Sequence, residues 1–261
     1  MRRVATIAAA LAALALAAHA EAAQCSARSG PQTTALVELY TSEGCDSCPP
    51  ADRWLSSLLG RGYARDRLVP IAFHVDYWDY IGWKDPYAKS AYAGRQRKMA
   101  ALARASFVYT PQVLLQGRDF RGWASGEFDR AVAGINTQWA RARIALTVAT
   151  GAPSALAVET IAELLDPALR ETAALYVAAY ENRLVSRVTA GENRGRTLEH
   201  DFVALEWTGP IGFGSASRLA DRRTLPLVPG ARAGNSGVVA FVEDRRGGEI
   251  LQALMLPACP G

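Results

Sequence analysis

The chain has 261 residues, half of them hydrophobic, and a formal charge of +4. So mild a balance is no electrostatic footprint for nucleic acid. The length and apolar fraction suffice for one sizeable core or two smaller ones.

The first residues set the compartment. Arg2 and Arg3 precede an Ala/Leu-rich run from Val4 to Ala18, followed by small residues suited to cleavage. This reads as a secretory signal whose apolar stretch is too short to span a bilayer. Two A-x-A sites are open, Ala18-His19-Ala20 and Ala20-Glu21-Ala22, and the leader is taken as residues 1–22. Removal of residues 1–20, with Arg2 and Arg3, would take the charge from +4 to +2. Gln24 before Cys25 fits a lipoprotein site poorly. A periplasmic or secreted protein with no stable membrane insertion is expected.

From Thr34 to about Ala140, short apolar runs alternate with helical stretches. "ALVELY" (35–40) reads as a buried strand, "ADRWLSSLLG" (51–60) as a helix, and "RLVPIAFHVD" (67–76) as a second strand. "DPYAKSAYAGRQRKMAALARA" (85–105) reads as a helix with Pro86 in its first turn. A hairpin over 111–123 and a closing helix over 126–140 complete a β-α-β-α-β-β-α order, which argues for a sheet with helices on its faces. From Arg141 onward the period switches to two, in strand-like segments separated by turn residues. Arg245-Arg246-Gly247-Gly248 marks a tight hairpin. The expected architecture is an α/β domain over 23–141 followed by a small antiparallel β-sandwich over 142–261.

Four cysteines lie beyond the leader: Cys25, Cys45, Cys48 and Cys259. An even count in an exported chain suggests disulfides, with three possible connectivities. The simplest joins Cys45 to Cys48 and Cys25 to Cys259, the second as a purely structural tie. In "TSEGCDSCPP" (41–50) the Cys-x-x-Cys pair sits at a strand-to-helix junction. There the free N–H groups of the helix and its dipole favour a thiolate at Cys45, and Cys48 can resolve a mixed disulfide. Glu43 and Asp46 oppose that thiolate, and Pro49 and Pro50 fit only in a first helical turn.

"VELYTSEGCDSC" and "TPQVLLQG" (110–117) resemble the two hallmarks of thioredoxins and glutaredoxins. The resemblance implies a thioredoxin-like fold for the first domain, a cis peptide before Pro111, facing the cysteines, and substrate pairing at the backbone of Thr110. Between the motifs lies "AFHVDYWDYIGWKDPYA" (72–88), where His74 and Asp76 alternate on one face as a possible acid and base. Its aromatic residues, Trp78 and Trp83 among them, either wall a substrate groove or form core under the insertion. Together with "GENRGRTLEHDFV" (191–203), these segments resemble the exported bacterial family known as domain of unknown function 1223, over almost all of the mature chain. In that last segment Asn193-Arg194-Gly195 reads as a turn and His200 as a strand residue, their polar groups satisfying a hairpin backbone.

The leading expectation is an exported thiol–disulfide oxidoreductase acting on protein or peptide thiols and disulfides, with an unidentified redox partner and no cofactor. Two alternatives remain open. One is copper or other metal handling through Cys45, Cys48 and His74. The other is a non-catalytic binding protein with a permanent 45–48 disulfide.

Overall fold

The computed structural model describes residues 23–152, 155–227, 231 and 233–259; the expected leader lies outside them. In chain order the strands and helices are β1 (Ala23–Arg28), β2 (Ala35–Thr41), α1 (Pro49–Ser57), β3 (Leu68–His74), α2 (Ser90–Leu102), β4 (Gln112–Leu115), β5 (Arg118–Asp119) and α3 (Gly126–Ile135). Nine strands follow: β6 (Ala142–Ala152), β7 (Ala155–Leu164), β8 (Ala173–Glu181), β9 (Leu184–Arg187), β10 (Thr197–His200), β11 (Val203–Gly212), β12 (Arg218–Pro226), β13 (Ser236–Asp244) and β14 (Glu249–Pro257).

β2 and β3 are mostly apolar, buried along their whole length and paired in parallel from Ala35↔Leu68 to Thr41↔His74. A strand covered on both faces has no need to alternate. The outer edge of β3 takes its partner from the far half of the chain. Val203 of β11 lies in parallel register with Ala72, and the Ala72 amide donates to the Phe202 carbonyl at 2.8 Å. The result is one eight-stranded sheet in the order β14-β13-β8-β11-β3-β2-β4-β5.

The expected α/β thioredoxin-like domain followed by a small β-sandwich is therefore not the architecture. Strand accounts for 44% of the chain and helix for 20%, in three sheets, a β-rich fold. The β-α-β-α-β-β-α elements of the first half are present, but their sheet does not end with them. Local periodicity assigned each run its type and could not reveal that the exposed edge of β3 is completed from residue 203. The helix expected over 85–105 also begins late, at Ser90, leaving Asp85 and Pro86 in a turn ahead of it.

β8 shows how two cores are built on one sheet. Ala174, Tyr176, Ala178 and Tyr180 belong to the core under the helices, with Leu36, Tyr40, Phe73 and Tyr92. Leu175, Val177 and Ala179 point to the other face, where they meet Ile144, Val148 and Leu156 of the four-stranded sheet β1-β6-β7-β12. The Cys25–Cys259 disulfide ties β1 to the residues after β14, with Cα atoms 5.8 Å apart. α2 docks by a charge as well as by apolar residues. Arg95 donates to both carboxylate oxygens of Glu38 on β2 and to Glu243 on β13, all three buried. Among the described residues, no helix is long and apolar enough to cross a membrane.

Candidate active site

The loop after β2 is shaped by its own short hydrogen bonds. The Gly44 amide donates to Ser42 Oγ at 3.1 Å and the Cys45 amide to the Ser42 carbonyl at 3.2 Å. Cys48 is the N-cap of α1, and Pro49 and Pro50 occupy positions where a missing N–H costs nothing. Gly44 is required by close approach: a Cβ there would meet Trp78 and Ile81 at 3.2 Å, because the 72–88 insertion lies directly on the loop. Cys45 and Cys48 form a disulfide, with Cα atoms 5.5 Å apart.

Across from it, the Thr110–Pro111 peptide is cis. Cys45 Sγ lies 3.9 Å from the Thr110 carbonyl oxygen and 3.3 Å from Ser47 Oγ. Trp78 donates its indole N–H to Thr110 Oγ1 at 2.7 Å, so this tryptophan holds the proline segment in place. Trp83 spends its indole N–H on Glu43 Oε2 at 2.8 Å. The pair is closely covered: Cys45 is 1% exposed and Cys48 0%, while Asp46 and Ser47 between them face solvent.

Beneath the loop the chain buries a dense polar cluster. His74 does not pair with Asp76; its Nδ1 lies 2.7 Å from Asp85 Oδ2, and both side chains are wholly buried. Strand alternation put His74 and Asp76 on one face, but the chain leaves the strand after His74, and the late start of α2 frees Asp85 instead. The same Asp85 oxygen accepts the Glu43 amide at 2.9 Å. Burial alone would lower the His74 pKa, but the carboxylates of Asp85, Asp52 and Glu43 override it and raise the value to about 9. Burial would raise Asp85, and the His74 charge and hydrogen bonds hold it below the usual carboxylate range. Asp52, on α1, is raised, because its desolvation outweighs the attraction of His200 and His74.

Asn193 lies in a turn and His200 ends β10, as their segment suggested, but what they reach was not legible in the residues. Asn193 Nδ2 donates to the carbonyls of Glu43 and Cys45, at 2.9 and 2.8 Å. His200 Nε2 lies 3.1 Å from Glu43 Oε1, and its ring stands 4.8 Å from that of His74. Glu192 adds a carboxylate that accepts the Asp46 amide at 3.0 Å. The hairpin does satisfy backbone groups, as its polar residues suggested, but those of the cysteine loop. A cleft of about 810 Å³ beside α2 touches none of this cluster. Of its charged lining residues, Arg95, Lys98 and Arg246 are already ion-paired. His74 is committed to Asp85, and among the described residues no group of three or more His, Cys, Asp or Glu is placed to hold a metal ion.

Comparison with known proteins gives no match among curated sequences. Two solved structures share the fold. Protein AGR_C_4864 from Agrobacterium tumefaciens has a TM-score of 0.63 and 23% identity over 89% of this chain and 98% of its own. HBP35 of Porphyromonas gingivalis has a TM-score of 0.68 and 12% identity over 88% of this chain and 76% of its own. A family model described as a protein of unknown function, DUF1223, matches residues 36–243, a span that contains every side chain of the cluster just described. By that match the chain is a member of the DUF1223 family.

Proposed function

We propose that this protein is an exported thiol–disulfide oxidoreductase that exchanges disulfides with protein or peptide substrates through Cys45 and Cys48. The observation that carries the reading is the contact between Cys45 Sγ and the carbonyl of Thr110 at 3.9 Å, which sets the sulfur beside a backbone that can align a substrate chain.

In the reducing direction the Cys45 thiolate attacks one sulfur of a substrate disulfide and the other sulfur leaves as a thiolate. The Cys48 thiolate then attacks Cys45 Sγ, closing the 45–48 disulfide and releasing the second substrate thiol. Two electrons pass to the substrate, and an external dithiol must return them. In the oxidising direction the same exchanges run backwards from the closed disulfide. Catalytic amounts of the reduced protein should accelerate insulin reduction by dithiothreitol, and Cys45→Ser should abolish the acceleration. A wild-type rate equal to background counts against the reading.

The near-complete burial of both cysteines favours a second reading, a binding protein with a permanently closed 45–48 disulfide. Equilibration in dithiothreitol buffers separates the two. A potential below about −300 mV marks a structural bridge, and one nearer the range of catalytic dithiols supports exchange.

A further inference from the structure

We infer that the segment before Pro111 forms a docking groove for an extended, acidic peptide carrying a large apolar side chain near its exchanging cysteine. The inference deepens the redox reading by naming its substrate class, and it rests on that reading. Phe107 is 63% exposed, an unusual position for a phenylalanine that has a core within reach. It stands 6.1 Å from the Tyr109 ring, and with Arg121 and Trp123 these two residues line a cleft of about 380 Å³. A second cleft of about 270 Å³ shares Phe107, Tyr109 and Arg121, so the two are continuous. The groove therefore ends one residue from the carbonyl that touches Cys45 Sγ.

The backbone supplies a second, independent sign. The amides and carbonyls of Phe107 and Val108 make no hydrogen bond within the described residues. Unpaired main-chain groups beside an aromatic cleft are what an added strand uses: they give affinity, and the pockets give side-chain choice. The rim supplies the charge preference. Asp119 is occupied by Tyr109, Gln112 and Arg121, whereas Arg104 has no ion-pair partner among the described residues. That leaves one cation facing the groove for an acidic residue of the guest.

The probe is a synthetic hexapeptide with one phenylalanine and two glutamates, serine replacing the exchanging cysteine. Its binding to the full-length protein is followed by calorimetry. A control peptide carries alanine for phenylalanine and lysines for the glutamates. The acidic aromatic peptide should bind at least about tenfold tighter than the control. Phe107→Ala and Arg104→Glu should each remove most of that preference; both side chains are exposed, so neither change disturbs the core. Equal affinity for the two peptides, no binding at all, or indifference to both substitutions overturns the groove. Insulin reduction separates this proposal from the one beneath it. Selective binding without turnover leaves the groove standing and removes the redox reading. Turnover with an unchanged kcat/KM in both variants leaves the redox reading and removes the groove.

Discussion

At the scale of single residues, the cost of this site is concentrated in a few buried charges. His74, Asp85 and Glu43 have essentially no solvent contact, yet the Asp85 carboxylate lies 2.7 Å from the His74 imidazole and the Glu43 carboxylate 3.1 Å from that of His200. A buried pair of this kind is weak evidence for stability, but removing one member leaves the other uncompensated. His74→Asn is therefore expected to destabilise by about 3 kcal/mol near pH 6, as read by urea unfolding. The pH dependence follows from the directions of the two shifts. His74 is raised to about 9, so its contribution is complete below the unfolded value of about 6.5 and is lost as pH rises through about 9. Asp85 is lowered, so its contribution is complete above about pH 4 and is lost as pH falls through its depressed folded value. The stability gap between wild type and His74→Asn should be widest between about pH 4 and 6.5 and should close towards pH 10. A gap independent of pH over that range would mean that the pair is not ionised.

At the scale of elements, the β9–β10 hairpin acts as a brace for the cysteine loop rather than as part of the large sheet. Its connecting loop places Asn193, wholly buried, against the carbonyls of Glu43 and Cys45; the Cys45 carbonyl also accepts the Cys48 amide at 3.3 Å. Asn193→Ala strands the Glu43 carbonyl and takes the shorter of two donors from that of Cys45, and should lower stability by about 1–3 kcal/mol, seen as a lower urea midpoint at unchanged m. After reduction, Cys45 in that variant should react faster with iodoacetamide, because the loop that covers it has lost its anchor. Unchanged alkylation would place the brace outside the control of access. Gly191 shows how tightly the hairpin is seated: its φ is +71°, and a Cβ there would come within 3.1 Å of Ile81 on the insertion.

At the scale of the whole molecule, two of the long-range connections that join the halves of the chain stand out. One is the β3–β11 junction inside the eight-stranded sheet. The other is the Cys25–Cys259 disulfide, which spans 234 residues of sequence. Cross-linking over so long a loop should contribute up to about 5 kcal/mol by restricting the unfolded chain. The double variant Cys25→Ser, Cys259→Ser is expected to lose most of that in calorimetry while retaining any exchange activity of Cys45 and Cys48. Loss of activity at a temperature where the variant remains folded would show that the tie also serves the site.

Short-range chemistry made the local features legible in the residues alone. Apolar runs marked the strands, Pro49 and Pro50 placed the start of α1 at Cys48, and the spacing of Cys45 and Cys48 allowed them to bridge. The structure joins Cys25 to Cys259, the simplest of the pairings that the cysteine count allowed. What only the tertiary structure decided is which distant segments meet. Periodicity reports the face a side chain takes within its own element, and says nothing of which edge that element will share. Hence β11 completing the sheet at β3, Asp85 rather than Asp76 reaching His74, and Asn193 and His200 closing on the cysteine loop all escaped the sequence. Each joins groups whose pairing is favourable only once water has been excluded from both, a condition that exists in the folded molecule and not along the chain.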